Sequence, residues 1–222
     1  MKIFCIIFSV ILMNLAYSQD EMVINYDDIK SKIQDSKSEN FYPKLLKRFN
    51  DFDSTLTNYE IALIYYGFSF QEDYLKNRPS EVNLNKLKEN EDFEGLAKEC
   101  LKILDLNPVS LEANNSLGYS LFKLGKPEAD WKKYQKRYRD IRKVIAMSGN
   151  GLSCDTAFKV IYVSDEYNMI YSYFELNSNK RQKMVGLCDY FVNQPSEYYK
   201  ATEIYFDASR SLLRHEEIIN KK

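Results

Sequence analysis

The stretch "DFEGLAKECLKILDLNP", Asp92–Pro108, decides the first half of the fold. Its apolar residues, Phe93, Leu96, Ala97, Cys100, Leu101, Ile103 and Leu104, recur at helical spacing. Pro108 then ends the helix, because proline lacks the N–H that the ladder needs. "SLEANNSLGYSLFKLGK" follows (Ser110–Lys126), with Leu111, Leu117, Gly118, Leu121 and Leu124 on one face and Gly125 as a helix stop. "PEADWKKYQKRYRDIRKVI" (Pro127–Ile145) comes next, with Pro127 suited to a first turn. Its stripe is Trp131, Tyr134, Tyr138, Ile141 and Ile145. Upstream, "TNYE" (Thr57–Glu60) is a capping-box pattern in front of an apolar helix.

This order resembles a tetratricopeptide repeat of about 34 residues. Pro108 stands at a closing-proline position, Leu117-Gly118 and Leu121 fall on first-helix positions, and Gly125 falls on the turn. Asn114 and Asp130 depart from the pattern. The resemblance covers about one and a half repeats and implies stacked helical hairpins. In that register Glu112, Asn115, Tyr119 and Phe122 line a concave groove. Either a peptide-like partner binds there, or the sheet half covers the two aromatic rings. Coverage is the commoner fate of large apolar side chains.

After "MSGNG" (Met147–Gly151) the pattern changes. "AFKVIYV", "MIYSYFEL", "KMVGLCDYFV" and "ATEIYFDAS" are rich in β-branched and aromatic residues and predict three or four antiparallel strands. "NSNK" (Asn177–Lys180) and "NQPSEY" (Asn193–Tyr198) read as turns between them, and a final helix is expected over 209–220. So few strands form no core alone, and the sheet should lean on the helices. The expectation is an α+β fold: tetratricopeptide-like hairpins over 19–148, then a small C-terminal antiparallel sheet over 149–222.

The chain opens "MKIFCIIFSVILMNLAYSQD", with Lys2 ahead of an apolar run and Ala16-Tyr17-Ser18 at its end. This predicts a signal peptide over 1–18, cleaved before Gln19, and a periplasmic or extracellular protein. The run is too short for a membrane span, and none is expected in the mature chain. A formal net charge of −1 gives no reason to expect a nucleic-acid partner.

The series "DTAFKVI" (Asp155–Ile161), "DEY" (Asp165–Tyr167), "CDY" (Cys188–Tyr190) and "IYFDAS" (Ile204–Ser209) resembles an uncharacterised family of exported Bacteroidetes proteins, domain of unknown function 4919. That resemblance implies location and architecture and supplies no catalytic residues.

Chemistry is scarce in this sequence. The mature chain holds Cys100, Cys154 and Cys188; if one bridge forms, Cys154–Cys188 is expected, leaving Cys100 in a helical core. Cys188 and Asp189 are adjacent, and on a strand adjacent side chains point to opposite faces, so they cannot act as nucleophile and helper. His215 is the single histidine, which also removes the usual thiol activator and any zinc spacing. Asp189 shares its face with Leu187 and Phe191 and must be satisfied, by a turn or by Lys159 or Lys200. The enzymatic alternative is a hydrolase pairing Asp189 with Asp207 or Glu203 as acid and base. The basic residues Lys132, Lys133, Lys136, Arg137, Arg139, Arg142 and Lys143 read as the solvated face of their helix. No metal and no cofactor are expected. The leading reading is an exported, non-catalytic interaction or envelope accessory module with a protein or peptide partner.

Overall fold

A computed structural model describes residues 21–72, 74–75, 81–211 and 213. The proposed signal segment and most of the expected final helix lie outside the described residues; residues 209–211 are helical.

Among the described residues seven helices come first: α1 (Tyr26–Gln34), α2 (Tyr42–Asn50), α3 (Asn58–Phe68), α4 (Glu81–Glu89), α5 (Phe93–Leu106), α6 (Leu111–Lys123) and α7 (Glu128–Ala146). Their ends follow local chemistry. The Thr57 hydroxyl accepts from the Glu60 N–H while Glu60 reaches back to the Thr57 N–H, closing the capping box of α3. Asp92 and Ser110 cap α5 and α6 more simply, their side chains accepting from the N–H groups of Gly95 and Ala113. Asn114, the residue that departs from the repeat pattern, donates to the carbonyls of Pro108 (3.0 Å) and Ser110 (2.8 Å) and fastens the α5–α6 turn.

Helix α3 is buried from Ile61 to Phe68 on every side, as befits a helix at the centre of a fold. The rest of the chain is built around it. Beyond α7 come β1 (Phe158–Lys159), α8 (Val163–Asn168), a π-helical turn (Met169–Tyr173), β2 (Asn177–Val185), β3 (Cys188–Gln194) and β4 (Glu203–Asp207). The sheet order is β1-β4-β3-β2. The β2–β3 and β3–β4 pairs are antiparallel and β1–β4 is parallel, so the small sheet is mixed and mostly antiparallel. The parallel pair is possible because the whole stretch from α8 to β3 serves as the long connection that parallel neighbours need.

Two strand readings are corrected. "MIYSYFEL" is mainly the π-helical turn, continuing directly from α8. "KMVGLCDYFV" is a hairpin, not one strand: β2 ends at Val185, β3 starts opposite it at Cys188, and Gly186 supplies the positive φ (64°) of a two-residue turn. "NSNK" consequently opens β2.

Among the described residues the apolar interior falls into two clusters. The main one joins α1–α3 and α7 to the sheet through residues such as Ile33, Phe49, Ile64, Ile141, Ile145, Phe158, Phe191 and Phe206. A smaller one holds Leu84, Leu96, Cys100, Leu104, Ala113 and Leu117 of α4–α6. Tyrosines fasten the helical half to the segment entering the sheet. Tyr66 donates to the Lys159 carbonyl (3.1 Å), and Tyr65 accepts from the Ile161 N–H (3.1 Å). Among the described residues no helix is long and apolar enough to cross a membrane.

Candidate functional site

Three places carry more chemistry than packing alone requires. The first lies on the inner face of the sheet. Asp189 is registered opposite Phe206, and Phe191 opposite Ile204, so this parity faces the main core. Cys188, Tyr190 and Val192 take the other face, opposite Asp207, Tyr205 and Glu203. Asp189 therefore stands on the opposite face from Asp207 and Glu203, and the expected acidic cluster is not assembled. Asp207 instead binds Lys159 (2.9 Å), its neighbour on β1, which holds its carboxyl below the usual range against the opposing effect of burial. The Tyr205 hydroxyl donates to Glu203 (3.0 Å). Lys200 donates to the Ser196 carbonyl, so neither expected lysine serves Asp189.

The group that meets Asp189 is Glu166 of α8. Glu166 is fully buried, and neither carboxyl oxygen makes a well-formed hydrogen bond. Burial pushes its carboxyl up to about 9, and the nearby Asp189 and Asp165 carboxylates add to the effect. At neutral pH Glu166 is thus protonated. Asp165 is also buried and accepts from the Tyr65 hydroxyl (2.6 Å). This is a carboxyl pair of the acid-and-carboxylate kind, but both members sit inside the protein, with Asp189 only 9% exposed.

The second place is the outer face of α6. Tyr119 and Phe122 are 43% and 57% exposed; the sheet half does not cover them. Coverage fails because the sheet packs on α3 and α7 in the main core, whereas α6 belongs largely to the smaller cluster. Phe93 of α5 meets Tyr119 edge-on (5.8 Å between centroids), and Trp131 of α7 meets Phe122 the same way (5.5 Å). The Lys123 ammonium lies 5.5 Å from the Phe93 ring and 5.8 Å from the Tyr119 ring. Asn115 is half-buried and accepts from Gln135 through its carbonyl (3.0 Å). Glu112 is spoken for by Lys88 of α4 and by the Ser116 hydroxyl (2.5 Å). Of the four expected groove residues, two are therefore available and two are tied into helix packing.

The third is α7. The expectation of a wholly solvated basic face is corrected at two positions. Arg137 is 7% exposed, with its guanidinium 3.7 Å from the Phe52 ring centre and 4.4 Å from that of Phe49. Arg142 lies against Tyr138 (3.7 Å) and donates to the Ser172 carbonyl (2.7 Å). Burial lowers the pKa of both, Arg137 to about 10. Arg137 falls on the helical spacing of the Tyr134, Tyr138 and Ile141 stripe, the one sequence signal that marks it as inward-facing.

Cys154 and Cys188 are joined by a disulfide, with Cα atoms 5.7 Å apart, while Cys100 is a buried free thiol whose pKa burial pushes up to about 12. No cluster of three or more potential metal ligands occurs among the described residues.

A family model described as a domain of unknown function, DUF4919, matches residues 27–217. Neither a curated protein nor a solved structure matches the chain. The chain belongs to the DUF4919 family.

Proposed function

We propose that this DUF4919 protein is an exported, non-catalytic interaction module that binds an envelope protein or peptide through the outer face of α6. The observation that carries the reading is the exposed pair Tyr119 and Phe122, flanked by Phe93 and Trp131. Exposed aromatic rings next to a cation are the composition of protein-binding anchors, where they contribute buried area at small conformational cost. Lys123, lying over two of these rings, favours a partner segment with a carboxylate beside its apolar residues. The packing of each of α4–α7 on the next in sequence, with Pro108 between α5 and α6 and Gly125 between α6 and α7, supports the tetratricopeptide-like reading. A disulfide between Cys154 and Cys188 supports an oxidising compartment, periplasmic or extracellular.

Recovery of co-purifying envelope proteins, repeated with Tyr119→Ala and Phe122→Ala, tests the proposal. Each variant is expected to lose most of the partner while unfolding at the wild-type temperature, since both rings are largely outside the core. Unchanged recovery with both rings removed refutes it.

A further inference from the structure

Arg137 has a feature that its packing does not explain. Its Nη2 donates to the carbonyl of Phe49, near the C-terminal end of α2, where a cation is favoured. That uses one of five guanidinium donors. Among the described residues Nε is buried with no acceptor, and no carboxylate pairs with the group. A buried cation without a counter-ion is costly, and buried charges are ordinarily paired.

Arg137 also lines a cleft between the α2–α3 loop and α7, together with Phe49, Phe52, Leu56, Ile61 and Lys133. The cleft offers about 60 Å³ to water-sized groups. At roughly 10–15 Å³ for each such group, it holds some four to six non-hydrogen atoms. A second, wider cleft of about 260 Å³ adjoins Arg137 and Phe52 on the Leu101 and Leu104 side.

The charges on the small cleft restrict what fits. Lys136 is bound to Asp140 (2.6 Å), and Asp53 is held by Arg48 (2.8 Å) and by Thr55. Lys133 rests over the Phe52 and Tyr134 rings, with its ammonium 4.8 and 5.3 Å from their centres. The cleft thus carries a small positive excess, suited to one negative charge, and the two aspartates on its wall oppose a dianion such as phosphate. Phe52, Leu56 and Ile61 supply the apolar remainder.

We propose that this cleft binds a carboxylate bearing a short branched apolar group, with the Arg137 guanidinium taking the anion and Phe52, Leu56 and Ile61 taking the apolar part. The carboxylate comes from a free small acid or from the C-terminus of a peptide; both present the same chemistry to Arg137. The site is independent of the α6 face, and neither proposal depends on the other.

The test is an NMR titration of the purified protein with 2-methylpropanoate, a branched acid of six non-hydrogen atoms, with 2-methylpropanamide, phosphate and N-acetyl-alanine as comparators. Saturable shifts in the Phe52 and Arg137 amides are expected with the acid at millimolar concentration. The amide and phosphate should leave them in place. Tighter binding of N-acetyl-alanine than of 2-methylpropanoate assigns the site to a peptide C-terminus, and the reverse assigns it to a free acid. Arg137→Lys keeps the charge and loses the fork, and should weaken binding about tenfold or more. Leu56→Trp fills the cleft from its partly exposed rim and should abolish binding in a protein whose spectrum is otherwise native, which covers the case of an Arg137 variant that does not fold. Absence of saturable shifts, equal binding of the amide or of phosphate, or full affinity in Leu56→Trp overturns the proposal.

Discussion

Replacing Glu166 by glutamine should make the protein more stable at neutral and alkaline pH. The folded protein holds the Glu166 proton up to about pH 9, whereas the unfolded chain releases it near the ordinary value of 4.5. Between those limits the folded state binds more protons than the unfolded one, so stability falls as pH rises. Each unit of difference is worth about 1.4 kcal/mol, which makes the Glu166 penalty about 3 kcal/mol at pH 7 and about 6 kcal/mol by pH 9. Glutamine keeps the shape and does not titrate. Thermal unfolding followed by circular dichroism from pH 5 to pH 9 reads the effect. Wild type and Glu166→Gln should nearly coincide at pH 5 and then separate, the variant gaining. At roughly 2–4 °C per kcal/mol for a chain of this size, the gap at pH 8 should reach about 10 °C. Other groups titrate in this window, but they titrate in both proteins and cancel. Parallel profiles across the range would refute the reasoning and mean that Glu166 ionises normally or is relieved by water.

Reducing the Cys154–Cys188 bridge, which spans a sequence separation of 34, should cost about 3–4 kcal/mol by the chain-entropy estimate. Its readout is a melting temperature lowered by about 10 °C in dithiothreitol, and an unchanged value would show that the bridge constrains little. Tyr65→Phe removes one hydroxyl that serves both Asp165 and the Ile161 N–H. Taking one hydrogen bond from each of those buried groups should cost about 2–3 kcal/mol in urea unfolding at constant slope; a loss under about 0.5 kcal/mol would contradict the role given to this contact.

The helices were legible because their signals are local. The Thr57–Glu60 box, the Pro108 stop and the three-four spacing of α5 and α6 each act within a few residues. The π-helical turn was not, because Met169, Ile170, Tyr171 and Tyr173 are the residue types that strands prefer, and only packing of Met169 and Ile170 into the core selects the helical alternative. Gly186 interrupts an apolar run that otherwise reads as one strand, yet strand parity still separates Cys188 from Asp189, since both fall within β3. The partners of Asp189 and Arg137 could not be read at all. Glu166 arrives from another element, and Phe49 is 88 residues away in the chain from the guanidinium it accepts from.

The division of the interior into two clusters has a dynamic consequence. The six buried side chains of the α4–α6 cluster enclose far less apolar surface than the main core, so this lobe is the weaker cooperative unit. Its amides should exchange with deuterium through partial opening that leaves α3 and the sheet protected. A ligand clasped by Tyr119 and Phe122 would bind a lobe that breathes and would slow that exchange, while the amides of α3 keep reporting global unfolding.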